Sequence, residues 1–236
     1  MGSAAVVANA KENNNYIIPQ SINIEGNKIS YETYDKKECT YDLDTGNFEI
    51  EGIGSVVITT TVEHIYDNSF TKEEYLEMDK QKTIENFERL KNQIDTYEYS
   101  VTGIPSNASS VKQASLKKNI GKIVGDIASV LEEISYITTL YACSGMPYNG
   151  LAAAFATATG ILSHNLSKAS GNITSDWSYD LYRTSKTYKV GNATQYGYRY
   201  CNRKIIMHPV VNGKKQPDVT YNYGRTGSWW VNQKPY

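Results

Sequence analysis

Two apolar stretches separated by a turn constrain this chain more than any other feature of its sequence. Residues 120–142 show an apolar pattern of helical period, and residues 151–162 carry no charged side chain. Between them, Gly145 and Pro147 can reverse the direction of the chain. The pattern predicts a helical hairpin over residues 120–169. Such a hairpin is either the buried core of a soluble subdomain or a segment that enters a membrane.

The second arm of this hairpin is rich in alanine, and small residues allow helices to approach closely in a dense bundle or in lipid. Its 12 residues would form a helix of about 18 Å, shorter than the ~30 Å hydrocarbon core of a bilayer. We therefore expect shallow or partial insertion. The candidate membrane-contacting residues are Leu151, Ala154, Phe155, Ala156, Ile161 and Leu162.

Another helical pattern begins at Thr71. Thr71 and Glu74 have the spacing of a capping box, in which each side chain bonds the backbone N–H of the other residue. Behind them, apolar residues recur at three- and four-residue spacing as far as Tyr97. The pattern predicts an amphipathic helix of about seven turns, ending before Gly103 and packing on a core.

The two ends of the chain have the period of β-structure. Residues 16–66 contain short alternating runs separated by turn residues, which predict hairpins and a meander. From Gly171 onward the alternation returns, in about five short strands. Asn212-Gly213 is a strong signal for a two-residue hairpin turn.

These patterns predict an α+β fold with N-terminal antiparallel β-structure, central helices including the apolar hairpin, and a C-terminal antiparallel β-module. The expected divisions are an acidic β region over residues 11–70, a helical region over 71–170 and a basic, Tyr/Trp-rich module over 171–236. Within the helical region, a second helix is predicted from Leu116 to Leu140, followed by a third over residues 149–167.

The net charge of −1 hides a segregation of charge along the chain. Residues 11–105 hold 9 Lys/Arg against 19 Asp/Glu, whereas residues 171–236 hold 10 against 3. A basic, aromatic third suits an anionic surface, because Trp and Tyr settle at membrane interfaces and cations are drawn to anionic lipid. Packing of the same residues within an ordinary sheet is the alternative. The candidate surface-binding residues are Trp177, Tyr182, Tyr198, Arg199, Tyr200, Arg203, Lys204, Trp229 and Trp230.

The N-terminus indicates export. Met1-Gly2-Ser3 looks like a cloning remnant, and residues 4–10 (AAVVANA) look like the end of a signal peptide with a small-x-small cleavage site. We expect residues 1–10 to lie outside the mature protein, which would be secreted and extracellular.

Three cysteines allow one disulfide at most, and Cys143 with Cys201 is the pair to test, beside the alternative of three free thiols. No catalytic motif is visible, and the three histidines lie in separate segments without ligand spacing. We therefore expect no catalytic residues, no metal site and no cofactor.

The AAVVANA remnant, the apolar hairpin at 120–169 and the basic Tyr/Trp-rich end from Trp177 to Trp230 together resemble the large, heat-labile, non-lytic bacteriocins of Gram-positive bacteria, of the geobacillin type. The resemblance is one of layout over the whole mature chain, without a diagnostic motif. It implies a secreted antibacterial protein that acts on relatives of its producer without an enzymatic active site. It assigns no role to any single residue.

Three functions remain open from the sequence. The leading hypothesis is an antibacterial toxin that binds an anionic membrane or cell-wall surface and perturbs the membrane, with a receptor or an immunity protein as further partners. The alternatives are a non-enzymatic surface, matrix or adhesion protein, and a nuclease-type toxin using His208 with Arg199, Arg203 and Lys204. Nucleic acid is the least favoured of the anionic partners.

Overall fold

Antiparallel strands, rather than helices, make up most of the structure. The computed structural model of the protein describes residues 17–92, 103–125, 171–223 and 226–231. Its strands are β1 (Asn23–Glu25), β2 (Lys28–Glu32), β3 (Glu38–Asp42), β4 (Asn47–Ile50), β5 (Gly54–Ile65), β6 (Ser110–Gly125), β7 (Gly171–Thr184), β8 (Tyr188–Val190), β9 (Ala193–Gln195), β10 (Tyr198–Val211), β11 (Lys214–Lys215) and β12 (Val219–Tyr223). The described helices are a 3-10 turn, Pro19–Ser21, and one α-helix, α1 (Lys72–Lys91).

Ten strands form one sheet in which neighbours in space are mostly neighbours in sequence. The order is β1-β2-β3-β4-β5-β6-β7-β10-β11, with β12 also paired to β10, and β8 and β9 form a separate two-stranded ribbon. The longest strands, β5, β6, β7 and β10, lie together in the middle. This meander arises because turn residues follow each alternating run, and the Asn212-Gly213 turn has both residues at positive φ as predicted.

Helix α1 covers one face of this sheet, which we call the inner face. Its capping box forms as predicted: Thr71 Oγ1 accepts from the Glu74 N–H, and a Glu74 carboxylate oxygen accepts from the Thr71 N–H. Tyr75, Met78 and Phe87 are each buried to 1 % exposure or less against the strands. The opposite, outer face of the sheet carries mainly polar side chains.

The predicted α+β fold with central helices is wrong. The described residues contain a single α-helix and a large antiparallel sheet, and residues 116–125, predicted to begin the second helix, belong to strand β6. Leu116 and Ile120 fit a helical spacing, but they also alternate with polar Ser115, Lys117 and Asn119. The alternation is hidden in the sequence because the inner position between Leu116 and Ile120 is a lysine. The rest of the predicted hairpin and the third helix, residues 126–170, lie outside the described residues.

Candidate functional site

A buried polar cluster joins α1 to the inner face of the sheet. Asp79, on the face of α1 that packs on the strands, is 5 % exposed. One of its carboxylate oxygens, Oδ1, accepts from the Tyr179 hydroxyl at 2.6 Å and from the Tyr200 hydroxyl at 3.0 Å. The other, Oδ2, accepts from Lys118 Nζ at 2.5 Å. Four elements, α1, β6, β7 and β10, therefore meet at one carboxylate.

The electrostatics of this cluster favour one ionic pair and two neutral phenols. Burial raises the pKa of Tyr179 and of Tyr200 well above the ordinary value, and the negative charge of Asp79 raises both further. Burial alone would lower the pKa of Lys118, but the charge of Asp79 outweighs it and the pKa is raised. Lys118 also donates to Thr60 Oγ1 at 3.1 Å, so the ammonium is held from two sides.

A cavity opens beside this cluster, between the N-terminal half of α1 and strands β3, β5 and β6. Its volume is about 360 Å³, and Asp79 and Lys118 line it together with Tyr41. The turn between β3 and β4 forms one wall, where Gly46 has a φ of +74°. A Cβ at this glycine would lie 2.1 Å from the Ile58 carbonyl oxygen, so the turn can approach β5 this closely only with glycine there.

Two further carboxylates organise the outer face. Asp176 on β7 pairs with Lys117 at 2.7 Å and accepts from Asn119, and Asp180 pairs with Lys112 at 2.9 Å. Partial burial alone would raise the pKa of Asp176, but the hydrogen bonds from Lys117 and Asn119 outweigh it and the pKa is lowered. The pKa of Asp180 is lowered in the same way, since hydrogen bonds outweigh its burial.

The aromatic residues that we predicted as a binding surface lie largely inside the protein. Trp177, Tyr198, Trp229 and Trp230 are each 5 % exposed or less, and Tyr200 donates to Asp79 in the buried cluster. Trp229 also donates its indole N–H to the Pro105 carbonyl oxygen. These side chains stabilise the sheet and its covering loops, which is the packing alternative stated for them above.

The candidate cations are divided between the two faces. Arg203 is buried with its guanidinium 4.3 Å from the centre of the Tyr223 ring, and Arg199 lies 4.1 Å over the Trp229 ring. Lys204 and Tyr182 are partly exposed. Because alternate side chains of a strand face opposite ways, His208 lies on the other face of β10 from Arg203. Arg203 therefore does not share a face of the sheet with His208.

The remaining predicted sites are a thiol pair and the apolar hairpin. Cys201 is buried and carries a free thiol, whereas its predicted partner, Cys143, lies outside the described residues. All six candidate membrane-contacting residues, Leu151, Ala154, Phe155, Ala156, Ile161 and Leu162, lie outside them as well.

Comparisons with known proteins give no assignment: no family model, curated protein or solved structure matches the chain. Within the described ranges, no helix is long and apolar enough to cross a membrane. The same ranges hold no group of three or more His, Cys, Asp or Glu side chains placed to bind a metal ion.

Sequence reasoning missed the buried cluster and the cavity. The signals that could have found them are charged residues at positions where the pattern requires apolar ones. Asp79 follows Met78 on the buried face of α1, and Lys118 takes the inner position between Leu116 and Ile120. Since a buried charge needs a partner, two such residues of opposite sign in adjacent elements predict an ion pair.

Proposed function

We propose that the protein is a secreted, non-enzymatic antibacterial protein that binds an anionic bacterial surface and perturbs the membrane. The observation that supports this proposal is the register of the two central strands. Strand β6 stays paired as far as its last residue, Gly125, which lies opposite Gly171, the first residue of β7. The chain between them, residues 126–170, therefore leaves and re-enters the sheet at neighbouring positions.

The composition of this inserted segment, residues 126–170, indicates that it is suited to an apolar environment. Residues 151–162 contain no charged side chain, and the whole segment holds one Lys and three Asp/Glu. An apolar segment attached at a single point of a polar sheet is suited to contacting lipid while the sheet remains in water. In this proposal the sheet presents residues 126–170 to a membrane.

Exposed cations lie at the same end of the sheet. Val211 pairs with Gly171 on one side and with Lys214 on the other, so Lys214 and Lys215 lie beside the point where the segment emerges. Both lysines are exposed. A Lys near an anionic bilayer contributes about 1 kcal/mol of attraction, so this end would be drawn to anionic lipid first.

The direct test replaces residues 126–170 by the turn Asn-Gly. Because Gly125 and Gly171 are opposite each other, a two-residue turn can join the strands without changing their register. We expect this variant to keep the far-UV circular dichroism of a β-protein and to lose both killing of Gram-positive strains and dye release from anionic liposomes. A folded variant that still kills and still releases dye would refute the proposal.

Finer variants separate insertion from folding and from surface binding. Ala156→Asp and Ala154→Asp place a charge in the apolar segment, and we expect each to abolish dye release while binding to anionic vesicles persists. A urea denaturation curve like that of the parent is the required control, because it shows that the variant is folded. Binding without release by the parent protein would instead favour the surface or adhesion function.

A charge-reversal pair tests which end of the sheet meets the membrane. Lys214→Glu with Lys215→Glu alters the end where the segment emerges, and Lys186→Glu with Lys189→Glu alters two exposed lysines at the opposite end. We expect the first pair to weaken binding to anionic vesicles at least tenfold, because the two substitutions together change the net charge by four units. The second pair is the matched control and is expected to bind nearly as the parent does.

A further inference from the structure

We propose that the Tyr66 hydroxyl is an acceptor site for acyl transfer, at which the side chain of Lys112 activates the phenol toward an activated acyl donor. Tyr66 directly follows the last residue of β5, and its ring lies beside Lys112 of the outer face. The site is separate from the membrane activity proposed above, because it uses neither the inserted segment nor the lysines beside it. It is supported by the exposure of the phenol and by the position of the ammonium.

Tyr66 presents its side chain to solvent. It is 52 % exposed, whereas Tyr31, Tyr75 and Tyr179 are each 2 % exposed or less. Its backbone N–H donates to the Gln113 carbonyl oxygen at 2.8 Å, so the residue is fixed to strand β6. An exposed hydroxyl on a backbone that is held in place is accessible to a donor molecule from solution.

Lys112 lies against this phenol. Its Nζ is 3.1 Å from the Tyr66 hydroxyl oxygen and 4.3 Å from the centre of the ring. The same ammonium pairs with Asp180 at 2.9 Å, and Asp180 accepts in turn from Asn202 at 2.7 Å. The ammonium is therefore positioned by strands β7 and β10. A cation that donates to the phenol oxygen favours the phenolate, which is the nucleophilic form.

The hydrogen bonds around Tyr66 lower its pKa. Ser115 has the largest effect and Lys112 the next, while desolvation and the charge of Asp180 oppose them. Ser115 has a single hydroxyl proton and donates it to Asp180 at 2.6 Å, whereas an ammonium has three protons and can serve two acceptors. Lys112 is therefore the group that keeps a donor at the Tyr66 oxygen.

Other tyrosines lie in the opposite environment. Burial raises the pKa of five of them, which are Tyr41, Tyr75, Tyr179, Tyr200 and Tyr221. Their hydroxyls keep their protons at neutral pH, and a protonated phenol is a weak nucleophile. Tyr66 combines an exposed oxygen with a neighbouring cation, and both favour reaction with an electrophile.

Acyl transfer to this site is a simple displacement. The Tyr66 oxygen attacks the carbonyl carbon of the donor, and a C–O bond forms as the bond from that carbon to the leaving group breaks. The leaving group departs with the electron pair. With N-acetylimidazole as the donor, the phenol proton ends on the imidazole that leaves. The product is an acetyl ester at Tyr66, and Lys112 keeps its charge.

Tyr34 gives an internal reference for the experiment. It is 58 % exposed, slightly more than Tyr66, and the described residues place no lysine over its ring. We expect N-acetylimidazole to acetylate Tyr66 at least about threefold faster than Tyr34, measured at low conversion by peptide mass spectrometry on the full chain. Hydroxylamine removes acetyl groups from tyrosine but not from lysine, which separates an ester at Tyr66 from an amide at Lys112. Equal rates, or a faster rate at Tyr34, would overturn the proposal.

Lys112→Gln tests the activation. We expect Tyr66 in this variant to react no faster than Tyr34, and its rate to rise at higher pH than in the parent. Lys112→Arg, which keeps the positive charge, should retain a rate above that of Tyr34. Lys117→Gln is the matched control, because it removes another partly exposed lysine of β6 that pairs with an aspartate.

The rate at Tyr34 and the urea midpoint show whether each variant is folded, and we expect the Tyr34 rate to stay at its parental value. A folded Lys112→Gln variant in which Tyr66 reacts as fast as in the parent would refute the role of Lys112. An equal fall in the Tyr66 rate in Lys117→Gln would refute it as well, because the effect would then come from the charge of the whole face.

Discussion

Lys117 and Lys118 are adjacent on strand β6, yet each forms an ion pair on a different face of the sheet. On the inner face, Lys118 and Asp79 have side chains only 9 % and 6 % exposed. On the outer face, Lys117 and Asp176 are 31 % and 19 % exposed. The chemistry of the two pairs is the same, and the difference in burial decides what each contributes. Breaking the inner pair costs free energy because its groups are buried. When the outer pair is broken, water can hydrate both of its groups.

The neighbours of the two carboxylates extend this contrast. Asp79 accepts from two buried phenols, so removing it leaves an ammonium and two hydroxyls without their acceptor. Asp176 accepts from Asn119 at the surface, where water can take its place. We therefore expect the inner face to control the global stability of the fold and the outer face to make small, pH-dependent adjustments.

The largest expected effect is that of Asp79→Ala. Breaking a buried ion pair by removing one partner costs about 3–5 kcal/mol, and here the charge of Lys118 would be left in the interior. The free energy of unfolding from urea denaturation measures the loss. Asp176→Ala is the control on the outer face, and similar losses in the two variants would contradict the contrast drawn between the faces.

Removing both inner charges should cost less than the two single changes predict. Lys118→Met leaves Asp79 charged and unpaired, whereas Asp79→Asn with Lys118→Met leaves no buried charge and keeps an oxygen that can accept from the tyrosines. We expect a favourable coupling of about 0.5–3 kcal/mol in a double-mutant cycle. A coupling of zero would show that the two side chains act independently.

Alkaline pH should lower the free energy of unfolding through tyrosines on the inner face. The pKa values of Tyr179 and Tyr200 are raised by folding, so the folded chain holds more protons than the unfolded chain above about pH 10. Their contribution is complete below that pH and falls as pH rises, by up to about 1.4 kcal/mol per pH unit for each group. Urea midpoints between neutral and alkaline pH measure it.

Tyr200→Phe removes one of these two phenols and tests how much it contributes to the loss of stability at alkaline pH. We expect the variant to be less stable than the parent at neutral pH and to lose stability less steeply as pH rises above 10. Lys112 and Lys117 on the outer face also have raised pKa values, but they are partly exposed and water screens their contribution. An unchanged alkaline slope would show that Tyr200 does not titrate with unfolding.

Acid pH should lower the free energy of unfolding through carboxylates on the outer face, and this is the smallest expected effect. Folding lowers the pKa of Asp176 and of Asp180, so their contribution is present above about pH 4 and is lost as pH falls through the folded-state values. Asp176→Asn should cost about 0–1 kcal/mol near pH 7 and less at high salt. A loss at neutral pH as large as that of Asp79→Ala would remove the distinction between the faces.

The sequence predicts local features well where one signal dominates. The capping box at Thr71 and the Asn212-Gly213 turn formed as expected, because each depends on a few adjacent residues. Strand β6 was predicted as helix, because an inward lysine breaks the alternation that identifies a strand. That lysine is explained only by Asp79, which lies 39 residues earlier in the chain. The candidate site is built from such distant pairs, and local patterns do not reveal them.

The aromatic residues show the same limit. A basic strand with Trp and Tyr at alternate positions has the composition of a binding surface, yet Trp177 and Tyr179 lie in the core with their ring centres 4.9 Å apart. Which face of a strand is covered depends on where α1 packs, and α1 precedes β7 by about 80 residues. Composition therefore identified the aromatic residues but not which face of the strand they occupy.

The order of strand lengths across the sheet has a consequence for how the protein behaves at high concentration. Among the residues that the structure describes, the sheet ends in β1 on one side and in β11 and β12 on the other, and these strands have three, two and five residues, whereas the central strands have 12 to 16. Unpaired backbone groups on a long edge would recruit a strand from another molecule. Short edges that carry Glu25, Lys214 and Lys215 offer little backbone to pair with, so these described edges are protected against edge-to-edge aggregation.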